Sequence, residues 1–215
     1  MIPPLLVATA VDAEHDAIRA GLPAGRASLP TVVTVGVGPA AAAATTARLL
    51  ALAEAAGRPY RTVVCAGIAG GFAGRAPVGA LVLAARSVHA DLGAEAAGGF
   101  LTLDDLGFGA TVVPADPVAL SALRGRFPDA VVGDVLTVAT ATGTGARAGA
   151  LAARYPAAVA EAMEGYGVAC AAAAAGVAFA ELRAVCNVVG PRDTASWEIP
   201  RALGVLTAAA AALTG

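Results

Sequence analysis

Two carboxylates and one amide stand where chemistry is possible. Glu14 follows the apolar run Leu5–Ala10 closely, within Asp12-Ala13-Glu14-His15-Asp16. A carboxylate just past a strand can take a proton from water. The same residue also fits an acidic first helical turn, which the helix dipole favours. Glu164 lies in Ala160-Glu161-Ala162-Met163-Glu164-Gly165-Tyr166-Gly167-Val168, among alanines. A buried carboxylate is costly unless paired or hydrogen-bonded. Two adjacent hydroxyls of a ribose would satisfy it, and an exposed residue at a helix start would look the same in sequence. Asn187 directly follows an apolar strand. Its amide offers a donor and an acceptor, suited to the edge of an oxo-purine or to capping a turn. Trp197, the only Trp, can wall an aromatic or sugar site or pack the last helix.

Composition removes several other chemistries. The chain has 215 residues, 58% hydrophobic and 14% charged, with net charge −2. That is too apolar for disorder, and no Lys/Arg block marks a nucleic-acid surface. All 14 basic residues are Arg and none is Lys. A lysine Schiff base is therefore impossible, as is a P-loop. His15 and His89 are far apart, and Cys65, Cys170 and Cys186 form no CxxC, so no metal site is expected. The cysteines read as reduced core thiols of a cytoplasmic protein. The opening Met1-Ile2-Pro3-Pro4 has no positive region of a signal peptide. The most apolar run, Gly165–Ala180, falls short of the roughly 18 residues of a membrane span.

These residues need elements to position them. Strand-like runs are Leu5–Ala10, Thr31–Val37, Thr62–Ala66, Ala80–Val88, Ala110–Val113, Val131–Thr140 and Phe179–Val188. Several have no polar alternation, as in strands buried on both faces. Alanine-rich helical stretches fall between them: Asp12–Ala20, Ala40–Ala56, Pro117–Arg126, Gly145–Arg154, Ala157–Ala175 and Pro200–Leu213. Asp12 and Asp116 are expected N-caps, the latter with Pro117 at the first helical position. The alternation predicts an α/β fold: one domain, residues 1–215, with a central mixed, mostly parallel sheet flanked by helices. Ligands bind such sheets at the carboxyl ends of strands. There lie Gly36-Val37-Gly38-Pro39, Gly67-Ile68-Ala69-Gly70-Gly71 and Asn187-Val188-Val189-Gly190-Pro191-Arg192-Asp193. The first two could cradle a phosphate or a ribose, or simply turn the chain from strand to helix. The dinucleotide fingerprint GxGxxG is not met.

Together these segments resemble the purine nucleoside phosphorylase superfamily, in its methylthioadenosine/adenosylhomocysteine nucleosidase branch. Ala10-Val11-Asp12-Ala13-Glu14 is similar to the branch's acidic N-terminal motif, Ala66–Gly71 to its Thr-Gly-Ser-Ala-Gly-Gly, and Met163-Glu164 to its Glu-Met-Glu. Arg183-Ala184-Val185-Cys186-Asn187 is similar to its Arg-Ala-Ile-Ser-Asp. The resemblance implies a nucleoside phosphorylase-like fold and hydrolysis of an N-ribosidic bond. By the same resemblance Glu14 is the catalytic carboxylate, Glu164 grips the ribose hydroxyls with Met163 packed on the sugar, and Gly67 and Ile68 close that side. Thr142, in Thr140-Ala141-Thr142-Gly143-Thr144, and Trp197 would line the site. Arg192 would meet a substrate carboxylate or remain an exposed loop arginine.

The departures carry information. Asn187 replaces an acid that protonates adenine, and an amide cannot be that acid. It can pair with a ring N–H and an oxo group, so the expected base is a 6-oxopurine such as hypoxanthine. Ile68 replaces a hydroxyl residue where an anion would need a donor, so water is the expected nucleophile. Ala141 stands where the branch tends to have Phe; Trp197 or Phe72 would have to replace that wall. The alternatives are an adenine-releasing nucleosidase of the same branch and a non-catalytic nucleoside-binding domain. The expected partner is a small purine nucleoside, with no metal or organic cofactor, no nucleic acid and no membrane. The branch often forms dimers, so a homo-oligomer is expected.

Overall fold

The computed structural model describes residues 4–25 and 29–214. Met1–Pro3, part of the opening read above, lie outside them. The elements in order are β1 (Leu5–Thr9), α1 (Asp12–Gly21), β2 (Thr31–Thr34), α2 (Pro39–Ala55), β3 (Thr62–Gly71) and β4 (Leu81–His89). A hairpin of β5 (Gly93–Ala96) and β6 (Gly99–Thr102) follows, then α3 (Leu103–Leu106), β7 (Val112–Pro114) and α4 (Pro117–Arg126). The remainder is β8 (Val131–Thr137), α5 (Gly145–Arg154), β9 (Ala158–Ala162), α6 (Gly165–Ala174), β10 (Ala178–Val188) and α7 (Ile199–Ala210).

The main sheet runs β10-β4-β8-β9-β3-β1-β2, with β7 against β4. β10 also pairs with β3, so β10, β4, β8, β9 and β3 close into a ring. Parallel pairings join β1 to β2 and β3, β10 to β3, and β8 to β4 and β9. β9 on β3, β4 on β10 and β7 on β4 are antiparallel. The sheet is thus mixed and mostly parallel, as expected. Its apolar strands feed two helix-covered cores. Val7, Val64 and Leu182 pack with Ile18 of α1 and Leu206 of α7. Leu6, Val63 and Phe179 pack with Leu50 of α2 and Val168 of α6. A third cluster takes Ala69, Val82, Val135, Ala160 and Val185, one from each strand of the ring. No helix among the described residues is long and apolar enough to cross a membrane.

Three local expectations are corrected. The alanine-rich stretch Ala157–Ala175 is not one helix. Its first part is β9, whose five residues are all buried, and only Gly165 onward is helical. Helix propensity is a weak preference, and pairing with β8 and β3 overrides it. Gly67–Gly71 is not a turn but the second half of β3, where it pairs with β10 and β9. Asp12 is not an N-cap: Val11 holds that position. Asp12 instead accepts a hydrogen bond from the Thr34 hydroxyl at 2.9 Å. Asp116 does cap α4, accepting from the amides of Val118 and Ala119.

Two helices meet without side chains between them. A Cβ on Gly167 of α6 would lie 2.1 Å from the Pro39 carbonyl oxygen at the start of α2. That contact is backbone and cannot rotate away. Gly167→Ala is expected to cost about 2 kcal/mol of stability, the usual scale of overpacking a core. Urea unfolding with an unchanged m-value checks it.

Candidate active site

Glu14 is placed by the first turn of α1 and is 3% exposed. Its Oε2 accepts from the backbone amides of Ala10 at 2.8 Å and Val11 at 3.3 Å. Its Oε1 accepts from the Ile68 amide on β3 at 2.8 Å. The carboxylate is therefore fixed by main-chain donors from two elements. Gly67 is needed for this approach. A Cβ there would lie 2.6 Å from Glu14 Oε1 and 2.8 Å from Arg183 Nη1.

Glu164 lies between the end of β9 and the start of α6, and is 5% exposed. Its Oε1 accepts from the Gly38 amide at 3.2 Å. The turn Gly36–Gly38 offers that amide because Gly36 and Gly38 take φ of +93° and +89°, which suits glycine. Its Oε2 accepts from the Met163 amide and from Arg183 Nη1, both at 3.3 Å. Arg183, on β10, is 1% exposed. Its Nε donates to Glu181 Oε1 at 2.9 Å and its Nη2 to Cys65 Sγ at 3.2 Å. Glu181 is wholly buried, and burial pushes its pKa up against the pull of Arg183. Buried charges of this kind are tolerated only as paired groups.

Asn187 ends β10 beyond a register shift between Val185 and Asn187. Such bulges re-aim a side chain. Its Oδ1 accepts from the Cys186 thiol at 3.0 Å, and its Nδ2 donates to the Val188 carbonyl at 2.9 Å. One amide N–H and further acceptor capacity remain for a ligand. Burial pushes the Cys186 thiol up to about 11 and the Cys65 thiol higher still, so neither is a nucleophile at neutral pH.

These groups share a cavity of about 380 Å³. That lies within the usual range for small-molecule sites, roughly 300–1,000 Å³. Of the residues singled out in sequence, Glu14, Ile68, Thr142, Met163, Glu164, Asn187, Arg192 and Trp197 all line it. Gly67 does not; it lies behind, between Glu14 and Arg183. The Arg192 guanidinium sits over the Trp197 ring, 5.6 Å from its centroid. Ala141 is on the wall, and Trp197 supplies the aromatic surface. Phe72 is buried in another cluster, with Val88 and Leu136.

The whole chain can now be set beside known proteins. The family model described as the phosphorylase superfamily matches residues 22–214. The futalosine hydrolase of Streptomyces coelicolor is 52% identical over 216 residues, covering 94% of this chain and 92% of that protein. The futalosine hydrolase of Acidothermus cellulolyticus is 48% identical, covering 97% and 89%. The chain belongs to the phosphorylase superfamily and to its futalosine hydrolase family. The native structure of a futalosine hydrolase of Helicobacter pylori shares the fold, with TM-score 0.80 over 99% of this chain and 97% of that one, at 16% identity.

Around the site lie three buried charged groups that sequence reasoning did not assign. Arg183, Glu181 and Glu161 are all under 9% exposed. A signal for the first two existed. Glu181 and Arg183 are two apart on an otherwise apolar strand, which puts both on one face. Glu161 was hidden because its strand read as helix. Its Oε1 accepts from the Thr142 amide at 2.8 Å and its Oε2 from the Thr142 hydroxyl at 2.6 Å.

The guanidinium is the group whose loss leaves most behind. Arg183→Met is expected to cost about 3–5 kcal/mol, because Glu164 and Glu181 stay buried without their partner. Chemical denaturation at pH 7 measures it. A loss below about 1 kcal/mol would show that the carboxylates do not depend on Arg183.

Proposed function

We propose that this chain hydrolyses the N-ribosidic bond of futalosine, releasing hypoxanthine and dehypoxanthine futalosine in menaquinone biosynthesis. The observation that carries the reading is the single cavity that joins Glu14, Glu164 and the amide of Asn187. Identity to curated futalosine hydrolases supports it.

Glu164 takes the 2′- and 3′-hydroxyls of the ribose, with Met163 against the sugar. The glycosidic C–N bond opens ahead of attack, leaving an oxocarbenium-like sugar. The electron pair goes to the base. Asn187 meets that charge with its amide N–H on the oxo group. Glu14 accepts a proton from water as the new C–O bond forms at the anomeric carbon. Arg192, held over Trp197, takes the carboxylate of the benzoate arm. One domain does this without a metal or organic cofactor, as a homo-oligomer in the cytoplasm.

Water rather than phosphate is the nucleophile for two reasons. The Ile68 side chain has no donor, and the Ile68 amide is already committed to Glu14. Arg183 is likewise committed to Glu164, Glu181 and Cys65. A phosphate beside Glu14 and Glu164 would find no hydroxyl at position 68, and Arg183 is not free to hold it.

The test is release of free base from futalosine, inosine, methylthioadenosine and aminodeoxyfutalosine without phosphate. Hypoxanthine from futalosine alone is the expected result; adenine release, or a need for phosphate, overturns the reading. Glu14→Gln is expected to lower kcat by roughly 10²–10⁴-fold while leaving substrate affinity near its original value. A rate close to the parent's removes Glu14 from the mechanism. Asn187→Asp is expected to move kcat/KM towards the aminopurine substrate by about tenfold or more. Chromatography of the two bases in competition reads that ratio, and an unchanged ratio means another group reads the base.

A further inference from the structure

Thr142 lines the cavity alongside Asn187 and is 8% exposed. It has two donors, its backbone N–H and its hydroxyl. Both are spent on one group: the amide on Glu161 Oε1 at 2.8 Å and the hydroxyl on Glu161 Oε2 at 2.6 Å. A carboxylate with donors on both oxygens acts as acceptor only. What remains for a ligand at Thr142 is the hydroxyl's free lone pair and the carbonyl oxygen. Glu161 itself also lines the cavity, and it adds only acceptors. The loop that carries Thr142 is held at its other end too, where the Ala139 amide donates to Asp91 Oδ1 and Oδ2 at 3.1 and 3.0 Å. The wall therefore cannot easily turn to expose another donor.

We infer that Glu161 is a specificity-determining positioning residue: by consuming both donors of Thr142 it leaves a wall of acceptors that admits a purine with an N–H on the ring nitrogen beside its 6-substituent and rejects one whose nitrogen there is bare. A 6-oxopurine carries an N–H beside its oxo group, and that hydrogen suits a lone pair. Adenine has an unprotonated nitrogen in the same position, which would meet lone pair with lone pair. Discrimination by a misplaced hydrogen-bonding group is strong, because the buried polar atoms are left unpaired. The inference rests on the proposed site. It adds a second reader of the base, on a different strand from Asn187.

The decisive change is Glu161→Gln. The Thr142 amide still needs an acceptor, so the glutamine oxygen faces it. The glutamine nitrogen then faces the Thr142 hydroxyl and donates to it. The hydroxyl hydrogen is released into the cavity, and the wall gains a donor. Binding of free hypoxanthine and free adenine is followed by the fluorescence of Trp197, the only Trp, in the intact protein. Turnover of futalosine and aminodeoxyfutalosine, which differ at the base, is measured in parallel.

The parent is expected to prefer hypoxanthine, and Glu161→Gln to lower the hypoxanthine-to-adenine ratio by about 10- to 100-fold. A merely structural role would weaken both bases alike, and that result overturns the inference, as does an unchanged ratio. If Glu161→Gln does not fold, Thr142→Val keeps the backbone bond and removes the hydroxyl. It is expected to weaken hypoxanthine and spare adenine; equal effects on both overturn the inference. A parent that binds hypoxanthine selectively but does not cleave futalosine refutes the proposed substrate, while the ratio in Glu161→Gln still decides the role of Glu161.

Discussion

Arg183 lies between Glu164 and Glu181 with almost no access to solvent, and Glu14 stands just across Gly67. One positive charge is ion-paired with two carboxylates and lies within electrostatic reach of a third, Glu14. Ionic groups in so dry a place cost several kcal/mol each unless they meet partners. The elements around it are arranged to supply those partners. β10 brings Arg183 and Glu181 on one face, β9 delivers Glu164 at its end, and β3 opens a space with Gly67. Gly165 belongs to the same set, since a Cβ there would lie 2.3 Å from Glu181 Oε1. The Glu181 carboxylate thus lies directly against the start of α6. The charge cluster and the helix geometry fix one another.

Closure of the ring does the rest. In an open sheet of the same order, β4, β8 and β9 would separate β10 from β3. Because β10 pairs with β3 and β9 reaches across to Gly70 and Gly71, their ends converge on one mouth. Glu14, Ile68, Glu164 and Asn187 come from distant parts of the chain and still face a common volume. Small residues make the convergence possible. The second half of β3 is Gly-Ile-Ala-Gly-Gly, and apart from Ile68, which lines the cavity, its residues are Gly or Ala.

Much of this was legible in the sequence. The apolar runs without polar alternation announced strands buried on both faces, and the helices α4 and α5 fell where the pattern put them. Glu14, Glu164 and Asn187 were found because each is a polar group at an apolar border. What stayed hidden depends on pairing at long range. Ala158–Ala162 looks helical from alanine content, and only β8 and β3 make it a strand. Glu161 vanished with that misreading. The Gly-rich stretch after Ala66 reads as a turn until β10 is known to run beside it. The small hairpin strands β5 and β6 and the single turn of α3 are four residues each, too short to show a period.

The way Glu14 is held has a consequence for how this protein can change. Its three hydrogen-bond donors, at positions 10, 11 and 68, are all peptide N–H groups. Peptide donors are present whatever side chain is attached, proline aside. Mutation can therefore alter the surfaces that Ala10, Val11 and Ile68 present to a ligand without loosening the carboxylate between them. The attachment of Glu14 and the lining of its pocket are separately adjustable, so the pocket is free to drift towards new ligands around a fixed carboxylate.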